Sequence, residues 1–285
     1  MIFRKITATD KDFIQTRTNY EVIYEEFRQY AELLTEQAGN AKKTSGKSSS
    51  YARYLMRLVI LYEENYKDSI GELASFKALK KFEKLSSLND FKEYNRSENR
   101  FPSATISCYR AYVTSKHMMR EEIIDTELNS TLNSTSSIKS NVGTVRNYSE
   151  LITGPKRKPK KNQTKNGASY PRNPVEGIAA KEKSNYKCEM DDRHVTFINA
   201  RNQMPYMEAH HLIPMAAQDY YENTLDFADN IVTLCPNCHR KIHHATAQEK
   251  AAMIDYLYQR HEKFYDTYGI KIDKKMLLNF YGILI

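Results

Sequence analysis

Cysteine is scarce, with four in 285 residues, and this excludes the dense disulfide framework of small secreted scaffolds. Long apolar runs are missing as well: none approaches the ~20 residues that a membrane-spanning helix needs. The stretch from Met1 to Phe13 carries charges but no apolar core of the kind a secretory signal requires. No internal repeat is present. Acidic residues are the minority among the charges, 35 against 43 basic ones, for a formal net charge of +8. These absences leave the expectation of a cytoplasmic protein with no membrane partner, and an excess positive charge that suits a polyanion.

What is present changes character along the chain. The first part has helical periodicity. Ile23, Phe27, Tyr30 and Leu34 share one face; Tyr51, Leu55, Leu58 and Tyr62 share another, with Ser48 or Ser49 as the expected cap. Ile70, Leu73, Phe76 and Leu79 mark a third helix, and Ile106, Tyr109 and Val113 a fourth. A helical domain is expected over residues 1–125. From Thr126 the composition turns to Ser, Thr and Asn, and then to GPKRKPKKNQTKN from Gly154 to Asn166, with six basic residues, two prolines and no acid. Residues 126–174 are expected to form a flexible basic linker, in which Lys156, Arg157 and Lys158 can clamp DNA phosphates without reading sequence.

Beyond Val175 the metal-binding residue types concentrate. Six of the eight histidines lie between His194 and His244, together with Cys235 and Cys238, and Cys188 sits just before. YMEAHHLIP (Tyr206 to Pro214) alternates apolar and polar residues and ends at a proline, the pattern of a short strand entering a turn. CPNCHRKIH (Cys235 to His243) opens with a Cys-x-x-Cys knuckle and continues as a helix, where His239 and His243 are four apart and share a face.

The strings EAHHLIP and DNIVTLCPNCHRKIHH resemble the HNH (ββα-metal) endonucleases, most of all their bacterial restriction-type members. The resemblance covers about a quarter of the chain. It implies an α+β architecture: a helical amino-terminal domain, and over residues 175–285 a small ββα-metal domain with a structural zinc and a helical extension. It implies a metal-dependent hydrolysis of phosphodiester bonds in double-stranded DNA. His211 matches the general base, His210 and His239 the ligands of the catalytic ion, and Asn230 the central Asn that braces the loop. His243 is a further candidate ligand, as in nuclease toxins with a His-x-x-x-His helix. Mg²⁺ or Mn²⁺ is the expected catalytic ion. Many family members hold a structural Zn²⁺ with two Cys-x-x-Cys knuckles; here Cys235 and Cys238 form one, while Cys188 has Asp191 where its partner cysteine would be. His194 is the expected fourth ligand and Asp191 the alternative. Glu208 is either a carboxylate that orients a metal ligand or a surface residue. Arg240 and Lys241 are candidate DNA contacts. Ser-Ser-Tyr51-Ala-Arg-Tyr-Leu55 resembles the helical core-binding domains of phage integrases, which implies that the first domain positions DNA. One site cuts one strand, so a double-strand break needs a homodimer or two sequential nicks. Other readings are a nicking, homing or toxin nuclease, and a zinc-stapled DNA-binding module without cleavage. A restriction-type enzyme would serve defence against phage.

Overall fold

The computed structural model describes residues 3–37, 46–134, 151–164 and 167–284. The chain divides into two compact units, Met1–Lys116 with Leu278–Ile285, and His117–Leu277. No helix among the described residues is long and apolar enough to cross a membrane.

The first unit holds α1 (Lys11–Asn19), α2 (Glu21–Gln37), α3 (Lys47–Tyr66), α4 (Phe76–Ser86), α5 (Phe91–Ser97) and the first half of α6 (Phe101–Ser134). The apolar stripes are core: α2 buries Tyr24, Phe27, Ala31 and Leu34, and α3 buries Leu55, Met56 and every residue from Leu58 to Tyr62. Two local expectations differ. Gly46, in the left-handed region at φ 61, precedes α3, so Ser48 and Ser49 lie inside the helix. Ile70 and Leu73 are buried ahead of α4, because Ser75 accepts the Ala78 amide and starts the helix at Phe76. The apolar carboxyl terminus belongs to this unit and not to the nuclease extension expected over 175–285. Leu278, Phe280, Tyr281 and Ile283 are buried, and Gly282, at φ 75, brings its backbone against Leu34.

The second unit corrects the linker. Residues 126–134 continue α6 without a break and bury Leu128, Asn129, Leu132 and Asn133. Residues 135–150 lie outside the described residues. From 151 onward the segment is bonded into the unit: Ile152 N–H donates to Glu176, Lys158 N–H to the Glu222 carbonyl, and the Lys156 carbonyl accepts from Thr224. A small antiparallel hairpin follows, β1 (Asn162–Thr164) with β2 (Gly167–Ser169). Next comes α7 (Pro174–Lys183), which Asn173 caps and Pro174 opens.

At the centre are two antiparallel strands, β3 (Glu208–His211) and β4 (Ile231–Leu234), in the register Ala209 to Thr233 and His211 to Ile231. Helix α8 (Pro236–His244) follows β4 directly, capped by the Cys235 sulfur, which accepts the Cys238 amide. Helices α9 (Ala247–Tyr265) and α10 (Lys274–Phe280) come after it. Both outer edges of the two-stranded sheet are closed by single residues. On β3, the Asn129 amide of α6 donates to the Ala209 carbonyl at 2.9 Å and accepts the Ala209 N–H at 2.7 Å. On β4, Glu189 donates its N–H to the Thr233 carbonyl at 2.9 Å and accepts the Thr233 N–H on its carboxylate at 2.7 Å. Leu128 and Leu132 of α6 pack with Ala180, Ala209 and Ile231 beneath the strands. Asn129, one of the polar residues that suggested a tether, is therefore a strand-edge partner.

Candidate active site and metal centres

Two groups of potential metal ligands each draw two residues from α8 and its cap. At the start of α8, Cys188, His194, Cys235 and Cys238 bring one donor atom each within 4.8 Å of one another. His194 Nδ1 stands 3.6 Å from Cys235 Sγ and 3.5 Å from Cys238 Sγ. Tetrahedral zinc with its usual bond lengths sets S and N ligands ~3.6 Å apart, so the donor set fits that ion. Asp191 is turned away: its carboxylate takes the backbone N–H, Nε and Nη2 of Arg193. Cys108 is buried in the first unit, far along the chain from these ligands.

One turn further along α8, His239 and His243 meet His210 of β3, again with donor atoms within 4.8 Å. The two Nε2 atoms of His239 and His243 are 3.3 Å apart, the ~3.3 Å that two imidazoles on one tetrahedral ion require. Burial first, and then the neighbouring His243 and His239, hold His210 well below the usual imidazole range. Burial and His239 push His243 down to about 4. Both rings are thus neutral, the state in which an imidazole binds a metal. Glu208 takes the Nδ1 side of His239 at 2.6 Å, which turns Nε2 toward the cluster. Three imidazoles favour Mn²⁺, Zn²⁺ or Ni²⁺ over Mg²⁺.

His211 points to the other face of β3, as alternation along a strand requires. It is buried between two carboxylates. Nε2 lies 2.8 Å from Asp226 Oδ1, and Nδ1 lies 3.7 Å from Asp125 Oδ1 of α6. Burial alone would push this ring down, but its bonds to Asp125 and Asp226 carry it up to about 9. Asp125 is in turn paired with Arg172, which also holds Glu121. Despite its burial, Asp125 is kept well below the carboxylate range by Arg172 and His211. Asn230 is fully buried and staples the loop that follows β3. Its Oδ1 accepts the Ile213 N–H at 2.8 Å, and its Nδ2 donates to the carbonyls of Ile213 and Leu225. By fixing Leu225 it sets the position of Asp226, the next residue.

The basic residues singled out in sequence scatter. Arg240 is exposed and stands 3.9 Å from Glu122; Lys241 pairs with Glu249. Lys156 and Arg157 are exposed. Lys158 is half-buried, and its amine donates to the Tyr221 carbonyl at 2.6 Å. Sequence reasoning missed Asp226, Asp125, Arg172 and Asn129. Asp226 had a signal, a carboxylate four residues before the central Asn. Asp125 had none, because it lay at the end of what read as another domain.

Residues 192–245 match the family model of the HNH endonucleases. A second likeness is to the type IV methyl-directed restriction enzyme EcoKMcrA of Escherichia coli strain K12, 34% identical over 90 residues. That match covers 31% of this chain and 29% of that enzyme. No solved structure matches the chain. Over the matched residues the chain carries an HNH endonuclease domain.

Proposed function

We propose that this HNH-bearing chain is a metal-dependent endonuclease of the restriction type that cleaves double-stranded DNA. The observation that carries the reading is the convergence of His210, His239 and His243 beside a fourth imidazole, His211, on the same strand. A divalent ion held by the three rings would supply charge stabilisation for the phosphate and its leaving oxygen. Mn²⁺ suits the all-imidazole donor set better than Mg²⁺.

His211 acts as the general base. It takes a proton from water, the water oxygen bonds to phosphorus, and the bond to the 3′ oxygen breaks. The products are a 5′-phosphate and, after proton uptake by the leaving oxygen, a 3′-hydroxyl. A base must be neutral before it acts, and the two flanking carboxylates favour the charged ring. A divalent cation bound by the neighbouring rings would disfavour the imidazolium and so favour the accepting form of the ring. Glu208 orients His239, and Asn230 braces the loop behind the base.

Zn²⁺ at Cys188, His194, Cys235 and Cys238 would be structural. Lys156, Arg157, Arg240 and Lys241 would supply phosphate contacts, and the helical unit would position the target. A double-strand break would need two copies or two successive nicks. The likeness to a methyl-directed enzyme makes modified DNA the substrate to try first.

The test is nicking of supercoiled plasmid, methylated and unmethylated, with Mg²⁺, Mn²⁺ or EDTA, beside His211→Ala. Metal-dependent nicking that the variant loses is the expected result. Folded, zinc-loaded protein that binds DNA and cuts neither plasmid with any metal would turn the reading to a zinc-stapled binding module.

A further inference from the structure

Among the described residues nine large apolar side chains are exposed, and three of them fall within four positions: Val195 at 93%, Phe197 at 64% and Ile198 at 57%. Single apolar residues on a surface are ordinary, but a cluster marks a contact site. The segment that carries them is well braced. It leaves the cysteine–histidine group at His194, turns, and returns into β3 at Glu208. Its two legs are paired: the Tyr206 N–H donates to the Phe197 carbonyl and the Asn199 N–H to the Met204 carbonyl, each at 2.9 Å, and Ile198 bridges Pro205. Both legs are tied to α6 through Asn133. Its carbonyl accepts Asn199 Nδ2 at 2.7 Å, and its Nδ2 donates to the Met207 carbonyl at 3.2 Å. A braced arm that holds its apolar side chains in water forgoes the burial they would gain elsewhere.

We propose that Phe197, with Val195 and Ile198 beside it, is a wedge that enters the base stack of DNA next to the phosphate being cut. The proposal rests on the nuclease reading of the three-imidazole group. Two observations point to DNA as the occupant. The first is continuity with the candidate active site. The Phe197 ring stacks on Tyr206, with centroids 4.7 Å apart and planes 26° from parallel. Tyr206 in turn lines a cavity of about 160 Å³ with Glu208, His239 and His243. An aromatic pair therefore leads from the imidazoles to the exposed tip. The second is charge. Residues 195–207 contain no acid, and Arg201 and Gln203 are exposed at the turn.

An acid-free rim with a cation suits a phosphate backbone. The tip suits the bases, the apolar part of the same polymer. Every base has a π face, so stacking on Phe197 holds DNA without reading its sequence. Apolar side chains that enter a base step unstack it and kink the duplex. A kink beside the arm carries the backbone toward a ligand group whose His210 is only 2% exposed.

The chain has no tryptophan, so Phe197→Trp places a lone indole at the tip. The experiment uses full-length, zinc-loaded protein without added Mg²⁺ or Mn²⁺, titrated with plasmid DNA. Tyr256→Trp, at an exposed position of α9, is the control. DNA should quench the Phe197→Trp emission and shield it from acrylamide, and leave the control emission unchanged. DNA affinity should fall about 5- to 150-fold in Phe197→Ala and hold in Phe197→Trp. Single-turnover nicking by Phe197→Ala at saturating DNA should fall by about 10²-fold, because the phosphate is no longer held in place. An indole that acrylamide still reaches in the DNA complex, or that is quenched no more than the control, overturns the wedge. Wild-type affinity in Phe197→Ala does the same, and an unchanged nicking rate at saturation overturns its place beside the cut. If Phe197→Ala lowers self-association in sedimentation and leaves DNA affinity unchanged, the tip is a contact between copies and the proposal falls. If wild type binds DNA but nicks nothing with any metal, the nuclease reading fails, and the indole still decides whether the tip enters the bases. Should Phe197→Ala melt lower than wild type, the indole of Phe197→Trp carries the decision.

Discussion

Asn129 is a polar residue in a core position, and its value lies in having a donor and an acceptor on one side chain. It satisfies both backbone groups of Ala209, the residue just before His210. Asn129→Ala leaves two buried backbone groups unpaired and should cost about 2–4 kcal/mol, measured by urea unfolding at constant metal. A loss near zero would mean that the β3 edge is satisfied in another way. Lys181 is the second informative residue, with 2% exposure and its amine on Asn133 Oδ1 at 3.1 Å. Burial pushes its pKa down to about 8, against ~10.4 in the unfolded chain. Between these values the unfolded state binds more protons, so this group lowers stability below the window and releases the penalty as pH rises through it. The penalty is about 3 kcal/mol. Lys181→Met should therefore gain on wild type by about that much as pH is lowered from ~10.4 to ~8, read as the difference between two unfolding curves. A difference that does not change with pH would show that the amine is not desolvated.

Helix α8 is the element on which both donor sets depend. The Cys235 sulfur caps its first turn, while His239 and His243 lie on its next turns, so order at one end is passed to the other. His194→Ala, or a strong chelator, should remove one zinc per chain and lower the melting temperature. The affinity of the three-imidazole group for Mn²⁺ should fall as well, although none of its ligands is touched. Metal analysis with Mn²⁺ titration checks this, and unchanged Mn²⁺ affinity after zinc loss would show the two ends to be independent. This element was legible in sequence, because Cys-x-x-Cys and His-x-x-x-His each have a spacing with a physical meaning. The fourth residue of the cysteine cluster was legible only as a choice between His194 and Asp191. The geometry separates the two through Arg193, whose guanidinium takes up the carboxylate. The hydrogen-bonded frame was not legible. Asp125, Arg172 and Asn129 reach the site through tertiary contacts, and short-range pattern carries no information about those.

At the scale of the molecule, α6 was the largest surprise, since residues 126–134, the first part of a stretch with the composition of a tether, continue a helix with a buried face. The carboxyl terminus was the other. Phe280, 1% exposed, lies in the helical unit, so Phe280→Ala should destabilise that unit by about 3–5 kcal/mol. Thermal unfolding followed beside the metal content of the His117–Leu277 unit checks this, with metal content expected to hold. The closed edges of the β3–β4 pair have a further consequence. Two strands with open edges are a template onto which any extended chain can add, and this pair is sealed by Asn129 on one side and Glu189 on the other. Glu189 follows Cys188 directly, so the residue that seals β4 is anchored next to the cysteine–histidine cluster that could hold a metal ion. Stripping zinc from that cluster would therefore do more than loosen a fold: it would uncover a sticky strand, and the metal-free protein should be lost to aggregates before it is lost to unfolding.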